Sequence, residues 1–360
     1  MKQISLKLFA LLLVFGNALQ LNLFAQNNYG LDGEKLRERI KRLSADDFEG
    51  RGPGLAGSKR AADYIAAQLK GIGLLPGNRS SYFQEVPMVS VKADPNTKLL
   101  ASASGKSAML NFGDDFVATT GSQMQRVAID SELVFMGYGI SAPEYKWNDY
   151  KGSTNDYRGK ILLIMVNDPP ATAAEPNLFG GRALTYYGRW TYKYEEAARR
   201  GAAGVILIHT TESAGYGWNV VRTSFGGVRS EIFRSSSDKT PFLSVMSWTT
   251  NEAAARLLAL ANLNLDELRA AAASRDFKPV KTGIRVKLDL RLDLKRFSSP
   301  NILGIIPGRD PKLKNQYVVF SAHWDHLGIG EPDKKGDKIY NGAYDNASGV
   351  AALLTIAERI

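Results

Sequence analysis

The sequence contains no cysteine in its 360 residues. This absence excludes disulfide bonds, cysteine nucleophiles and thiolate metal ligands, and also a lipid-modified N-terminal cysteine. Histidine is scarce as well, because only His209, His323 and His326 are present. Any site that depends on an imidazole must therefore use one of these three side chains.

The chain also lacks any run of basic residues interleaved with aromatic ones. Its net charge is +10, but the basic residues are dispersed, and Arg37, Arg39 and Lys41 alternate with Glu34 and Glu38. Nucleic-acid binding needs a basic patch or stripe. We therefore expect no nucleic-acid partner.

One apolar stretch stands out, at the N-terminus. Lys2 and Lys7 precede and flank the apolar core Leu8–Phe15, and small Ala25 offers a cleavage point before Gln26. This arrangement is typical of a signal peptide over residues 1–25, and the stretch is too short and too interrupted for a membrane span. We expect an exported protein, periplasmic or secreted, with no stable membrane insertion after signal cleavage.

The remaining composition, 44% hydrophobic and 23% charged, is that of a globular protein, and the length suggests two domains. Apolar periodicity predicts helices and strands in alternation. The pattern of apolar and polar residues changes near residue 126 and again after residue 276. The predicted helices are Gly33–Leu43, Ser58–Lys70, Trp190–Arg200, Asn251–Ala261 and one that opens at Val350; the predicted strands are Phe83–Val91, Glu132–Tyr138, Lys160–Val166, Val205–His209, Phe242–Val245, Val280–Leu294, Asn301–Ile306 and Gln316–Phe320.

The residues that suggest chemistry lie near the C-terminal end of this sequence. His323 and Asp325 follow the apolar run Tyr317–Phe320, and Asp345 precedes the last predicted helix. Imidazole and carboxylate are good zinc ligands, and a carboxylate close to a histidine fixes its tautomer. The plainer alternatives are an ordinary surface His-x-Asp pair and a helix cap at Asp345. We interpret His326 as a supporting or packed loop residue rather than a ligand.

The order and spacing of these motifs resemble a known family. Residues 301–308 read NILGIIPG, the segment from 317 reads YVVFSAHWDHLG, and residues 339–349 read IYNGAYDNASG. The collinear pattern is similar to that of the co-catalytic zinc aminopeptidases, exported enzymes related to bacterial leucine aminopeptidases and glutamate carboxypeptidases. Residues 43–51, 57–58 and 61–69 resemble the N-terminal helical part of these enzymes. Residues 137–150, 159–170 and 186–209 resemble their inserted protease-associated domain.

The resemblance implies specific roles and a specific fold. His323 would ligate one of two zinc ions, Asp345 would bridge both, and Asp325 would orient His323 as part of the catalytic apparatus. The fold would be α/β, a phosphorylase/hydrolase-like mixed sheet with helices on both faces and an inserted α/β protease-associated domain. We expect domains at 26–125 (N-terminal part of the peptidase domain), 126–276 (protease-associated domain) and 277–360 (first part of the catalytic domain).

The implied function is a zinc-dependent exopeptidase that hydrolyses N-terminal residues from peptide or protein substrates. The family's general-base glutamate and its later ligands follow the bridging aspartate by tens of residues, and Glu358 is too early to be one of them. We therefore expect a C-terminally truncated catalytic domain that binds zinc weakly and is itself inactive. The alternatives are a non-catalytic exported peptide-binding protein or remnant, which would use the protease-associated domain for peptide contacts, and a sugar- or surface-binding module. The second leaves the 317–349 spacing unexplained.

The N-terminal pattern makes the first testable prediction. Expression in a host with a secretory pathway should yield an exported chain cleaved near Ala25, because a positively charged start, an apolar core and a small residue are what signal peptidase requires. N-terminal sequencing of the exported material checks this. Material that still begins at Met1 would contradict it.

Overall fold

A computed structural model describes residues 30–153, 156–330 and 332–360; the predicted signal peptide lies outside these ranges. The helices are α1 Gly33–Leu43, α2 Ala56–Ile72, α3 Trp190–Arg199, α4 Thr211–Ala214, α5 Trp218–Ser224, α6 Asn251–Ala259, α7 Leu265–Ala272 and α8 Ser348–Ala357. The strands are β1 Leu75–Pro76, β2 Phe83–Ala93, β3 Lys98–Ala103, β4 Lys106–Asn111, β5 Phe116–Thr119, β6 Arg126–Phe135, β7 Ser141–Ala142, β8 Trp147–Asn148, β9 Ile161–Met165, β10 Gly204–His209, β11 Arg229–Ile232, β12 Val245–Thr250, β13 Val280–Ile302, β14 Gly304–Ile305, β15 Gly328–Ile329 and β16 Ile339–Tyr340.

The chain divides into two compact units. Unit 1 comprises residues up to Val86 together with Ser298–Ile360, and unit 2 is Pro87–Phe297. The predicted α/β class is confirmed, because helices alternate with a sheet that contains both parallel and antiparallel strands. None of the helices within the described ranges is both long and apolar enough to cross a bilayer.

Unit 2 is organised by a ten-stranded sheet. Its strand order is β11-β2-β13-β6-β9-β10-β12-β5, with β3 and β4 added beside β13. Strands β6, β9, β10 and β12 are mutually parallel at its centre. The side chains of β9 and β10 alternate between two apolar clusters, so both faces of the sheet are covered. Burial on both faces is why these two strands read as continuous apolar runs.

The limits of unit 2 differ from the predicted module at residues 126–276. Strand β5 pairs with β12, β3 pairs with β13, and β13 pairs with β6, so the sheet recruits residues on both sides of the predicted boundaries. The long alternation from Val280 is one of these recruited strands, with its apolar side chains buried and its charged ones exposed. Strand pairing between distant segments leaves no local mark in the sequence. The resemblance of this region to a protease-associated domain stays a prediction.

Unit 1 contains α1, α2 and α8 around a small apolar core. Leu43, Phe48, Ile65, Leu69 and Leu354 contribute to it. Helix α1 begins after Asp32, whose carboxylate accepts hydrogen bonds from the Glu34 and Lys35 amides, and α2 ends at Gly73 in a left-handed conformation. Such caps satisfy backbone groups that the helix itself cannot pair. They explain why these helices fall close to where periodicity predicts them.

Two predicted strands are wrong. Residues Tyr317–Phe320 form no strand and are exposed, with Val318 85% accessible, because no neighbouring strand among the described residues supplies hydrogen-bond partners. An apolar run indicates a buried strand only where the fold provides such a neighbour. The strand predicted at Phe242–Val245 begins at Val245 instead, since Val245–Thr250 is the stretch held between β10 and β5.

A buried lysine lies within unit 2. Lys193 on α3 is fully buried, and its ammonium donates to the Asn167 carbonyl oxygen at 3.1 Å. Burial lowers the pKa of Lys193 to about 7, against the opposing effect of the Asp168 and Asp149 carboxylates. Asp149 is itself buried, and desolvation raises its pKa to about 6. Stability of unit 2 should therefore depend on pH.

The sign of this dependence follows from proton counting. Between pH 7 and the lysine's ordinary pKa of 10.5, the unfolded chain holds a proton that folded Lys193 has lost, so the free energy of unfolding rises with pH. One proton corresponds to about 1.4 kcal/mol per pH unit. Urea unfolding of the full chain, measured from pH 7 to pH 10, gives the slope of the unfolding free energy against pH. Lys193→Met should lower this slope by about 1.4 kcal/mol per pH unit, the amount that corresponds to one proton. Exposed Lys278→Met is the control, and equal slopes in all three proteins would refute the assignment.

Candidate metal centre

The site is built on a left-handed turn in unit 1. Glu49, Gly50 and Arg51 have positive φ angles of 49°, 58° and 52°. A Cβ atom at Gly50 would lie 2.5 Å from the Tyr340 carbonyl oxygen and 2.6 Å from that of Gly328. Glycine is therefore required here, both for its φ angle and for the close approach of two other backbone segments. The turn directs the Arg51 side chain inward.

Arg51 joins the two segments that carry the predicted ligands. Its guanidinium is completely buried. It donates to the carbonyl oxygens of Trp324 (2.7 Å), Asn341 (2.7 Å) and Gly342 (2.8 Å), and also to that of Leu43 at the end of α1. Burial lowers the pKa of Arg51, and the carboxylates of Asp325 and Asp345 oppose that shift. One side chain thus fixes the backbone on both sides of the site.

A second set of hydrogen bonds positions the Asp345 segment. The Asp345–Asn346 peptide bond is cis. The side-chain Nδ2 of Asn346 donates to the His323 carbonyl oxygen at 3.2 Å. The side-chain Oδ1 of Asn346 accepts from the backbone N–H of Gly349 at the start of α8. Asn346 therefore both caps the helix and ties it to the His323 loop.

The structure brings His323 and Asp345 together. His323 Nε2 lies 3.1 Å from Asp345 Oδ1, and on the other side of the ring Nδ1 lies 3.3 Å from Asp325 Oδ1 and 3.1 Å from the Asp325 carbonyl oxygen. Both ring nitrogens thus face carboxylate oxygens. A cation at Nε2 would leave the ring proton on Nδ1, where the Asp325 oxygens can accept it.

This arrangement fits a shared cation. Two ligands of one tetrahedral zinc, each about 2.0–2.1 Å from it, lie about 3.3 Å apart. The separation of His323 Nε2 and Asp345 Oδ1 is close to that value. The two side chains remain about half exposed. No cluster of three or more such ligands occurs within the part of the chain that the structure describes.

The other candidate residues have different surroundings. His326 packs against Gly342, with Nδ1 3.9 Å from Asp345 Oδ2, and burial lowers its pKa. His209 is buried in unit 2 and bonds the Tyr216 carbonyl oxygen at 2.9 Å, which is a structural role. Glu358 pairs with Arg39 at 2.8 Å. Metal ligation by His323 and Asp345, with Asp325 orienting the histidine, stays a prediction.

Sequence reasoning missed Arg51 as part of the site. The available signal was an arginine inside the glycine- and proline-rich loop Gly50-Arg51-Gly52-Pro53-Gly54. Apart from Leu43, its carbonyl partners lie some 270 to 290 residues further along the chain. Only the tertiary structure places them around the guanidinium.

Comparison with known proteins supports the resemblance. Residues 301–360 match the family model described as Peptidase family M28. No curated protein matches the chain significantly. The match falls on the segment that carries His323, Asp325 and Asp345, so the predicted resemblance to this peptidase family is confirmed over that segment.

Two solved structures are similar to this chain. The aminopeptidase from Aneurinibacillus sp. strain AM-1 is 21% identical, with a TM-score of 0.42, over 91% of this chain and 58% of that one. The peptidase M28 precursor from Shewanella amazonensis SB2B is 16% identical, with a TM-score of 0.37, over 90% of this chain and 62% of that one. The chain thus spans about three fifths of the length of these proteins.

Arg51 provides the prediction for this site. Arg51→Lys keeps the charge but cannot reach carbonyl groups in so many directions, and each buried carbonyl left unpaired costs about 1–3 kcal/mol. We expect unit 1 to lose about 3 kcal/mol or more of unfolding free energy, and zinc affinity to fall with it. Urea unfolding and zinc titration measure the two effects. Exposed Arg37→Lys should change neither, and an Arg51→Lys variant of native stability would contradict the assignment.

Proposed function

We propose that this chain is part of an exported zinc-dependent exopeptidase, an aminopeptidase that removes N-terminal residues from peptides through water activated between two zinc ions. The observation that supports the proposal most directly is the pair of His323 Nε2 and Asp345 Oδ1, 3.1 Å apart with Asp325 behind the imidazole ring. A histidine oriented by a carboxylate and facing a second carboxylate is a frequent zinc-ligand arrangement. The family match over residues 301–360 supports the reaction class.

Each side chain has a distinct part in the proposal. His323 presents a neutral imidazole nitrogen as a ligand. Asp325 is a positioning residue, since it holds the Nδ1 proton and thereby the tautomer and ring orientation. Asp345 offers two carboxylate oxygens, one beside His323 and one toward His326, and so could serve two ions. Two bound zinc ions would supply Lewis acidity and lower the pKa of a water between them to about 7.

The electrostatics around the pair are compatible with binding cations. Asp325 and Asp345 carry two negative charges, and the buried guanidinium of Arg51 directs its donors to backbone carbonyl oxygens rather than to either carboxylate side chain. Arg51 therefore forms no hydrogen bond with the carboxylate oxygens of Asp345. The same residues position the backbone and leave the side chains available as ligands.

Zinc binding tests this proposal without depending on turnover. In a competition titration with a chromophoric chelator, His323→Ala and Asp345→Asn should each lower the zinc affinity by at least about tenfold, because each removes one ligand. Asp325→Asn should lower it by about 10–100-fold by disturbing the ring orientation. In the protein that contains this chain, His323→Ala should abolish hydrolysis of aminoacyl-nitroanilides, and a chelator should do the same.

Asp310→Asn is the matched control. Asp310 is an exposed carboxylate of unit 1 that accepts hydrogen bonds from the Lys312 and Leu313 amides, so its replacement leaves the proposed ligands in place. Zinc affinity should remain that of the native chain. If zinc bound His323→Ala and Asp345→Asn as tightly as the native chain, the proposed ligand set would be wrong.

A further inference from the structure

A cleft lies in unit 2, at one edge of its parallel strands. Its walls come from the residues that directly follow β6, β9 and β10, the three neighbouring parallel strands at the centre of the sheet. The carboxyl ends of parallel strands are where open α/β sheets form ligand sites, because the loops diverge there. The position of the cleft follows from the topology of the sheet. The proposed metal centre makes no use of it.

The size and floor of the cleft suit a small organic molecule. Its volume is about 740 Å³. Known small-molecule sites span about 300–1,000 Å³ and are mostly apolar with a few polar groups. Met165, Val166 and Ile208 contribute apolar lining at the strand ends, and Pro169 and Pro170 add a wall without amide donors. A ligand with an apolar body would bury it here.

Tyr138 supplies a polar group without a partner. Its side chain lines the cleft and is only 9% exposed. Within the described residues, no group forms a hydrogen bond with its hydroxyl. Burial raises the pKa of Tyr138 to about 12, so the hydroxyl remains a donor throughout the physiological range. A hydroxyl that lines a cleft and has no protein partner is available to a ligand or to solvent.

Two opposite charges on the cleft wall are also unpaired. Arg182 and Glu212 both line it and are exposed, and neither has an ion-pair or hydrogen-bond partner in the described part of the chain. The other charged wall residues differ, because Arg269 pairs with Asp266 and Asp168 accepts two hydrogen bonds from Thr185. Arg182, Glu212 and the Tyr138 hydroxyl are therefore available to a ligand beside the apolar strand-end residues, and the carboxylate of Asp168 also lines the cleft.

We propose that this cleft binds a short zwitterionic peptide, with its carboxylate at Arg182, its amino group at Glu212 and a backbone carbonyl oxygen at the Tyr138 hydroxyl. A molecule with one negative end, one positive end and an apolar middle matches the three unpaired groups and the floor between them. A simple anion would leave Glu212 unmatched, and a simple cation would leave Arg182 unmatched. Binding here is separate from hydrolysis, since none of these residues belongs to the His323 site.

Calorimetric titration of the full chain with trileucine tests the proposal. The native chain, treated with chelator, should bind trileucine. Arg182→Ala and Glu212→Gln should each weaken binding by about tenfold, since each removes a charge-assisted contact, and Tyr138→Phe by about fivefold. Arg158→Ala is the control, because Arg158 is an exposed arginine of unit 2 outside the cleft. His323→Ala should bind as the native chain does.

Blocked peptides assign each end of the ligand. N-acetyl-trileucine has no amino charge, so its binding should not respond to Glu212→Gln but should still respond to Arg182→Ala. Trileucine amide has no carboxylate and should show the opposite pattern. Absence of trileucine binding at millimolar concentration would overturn the proposal. So would binding that His323→Ala removes, or binding that the Arg182 and Glu212 variants leave unchanged.

Discussion

The buried guanidinium of Arg51 is the interaction on which the candidate site depends. Five carbonyl oxygens, from the end of α1, the His323 loop and the Asp345 loop, accept hydrogen bonds from it. An isolated buried charge is costly, and five fixed N–H donors offset that cost only if every acceptor is in place. The site and the packing of unit 1 are therefore coupled, and the left-handed turn at Gly50 is the local condition for both.

In unit 2, apolar side chains cover both faces of a central parallel sheet. The alternation of β9 and β10 side chains between two apolar clusters leaves the edges of the strands as the places where polar chemistry can occur. The cleft with Tyr138, Arg182 and Glu212 lies at such an edge, whereas Lys193 and Asp149 are enclosed and have shifted pKa values. Burial therefore shifts the pKa values of Lys193 and Asp149. Arg182 and Glu212, which are exposed at the cleft, remain available to a ligand.

The two candidate sites differ in how they hold charge. In unit 1 the carboxylates of Asp325 and Asp345 face one imidazole ring, an arrangement that attracts a cation and is supported by backbone contacts. In unit 2 single charges of each sign stand apart over an apolar floor, an arrangement that suits a zwitterion. The first suits bond hydrolysis assisted by metal ions, and the second suits recognition of a peptide by its ends.

The sequence by itself determined the helices α1, α2, α3 and α6, the buried strands β9 and β10, and the identity of His323, Asp325 and Asp345, because periodicity, capping and motif spacing are local properties. Tertiary structure alone decided the limits of unit 2, since strands distant in sequence pair within its sheet. It also decided that Tyr317–Phe320 has no strand partner in the described chain, and that Arg51 lies behind the metal candidates. Hydrogen bonds across some 290 residues leave no pattern in a window of neighbouring residues.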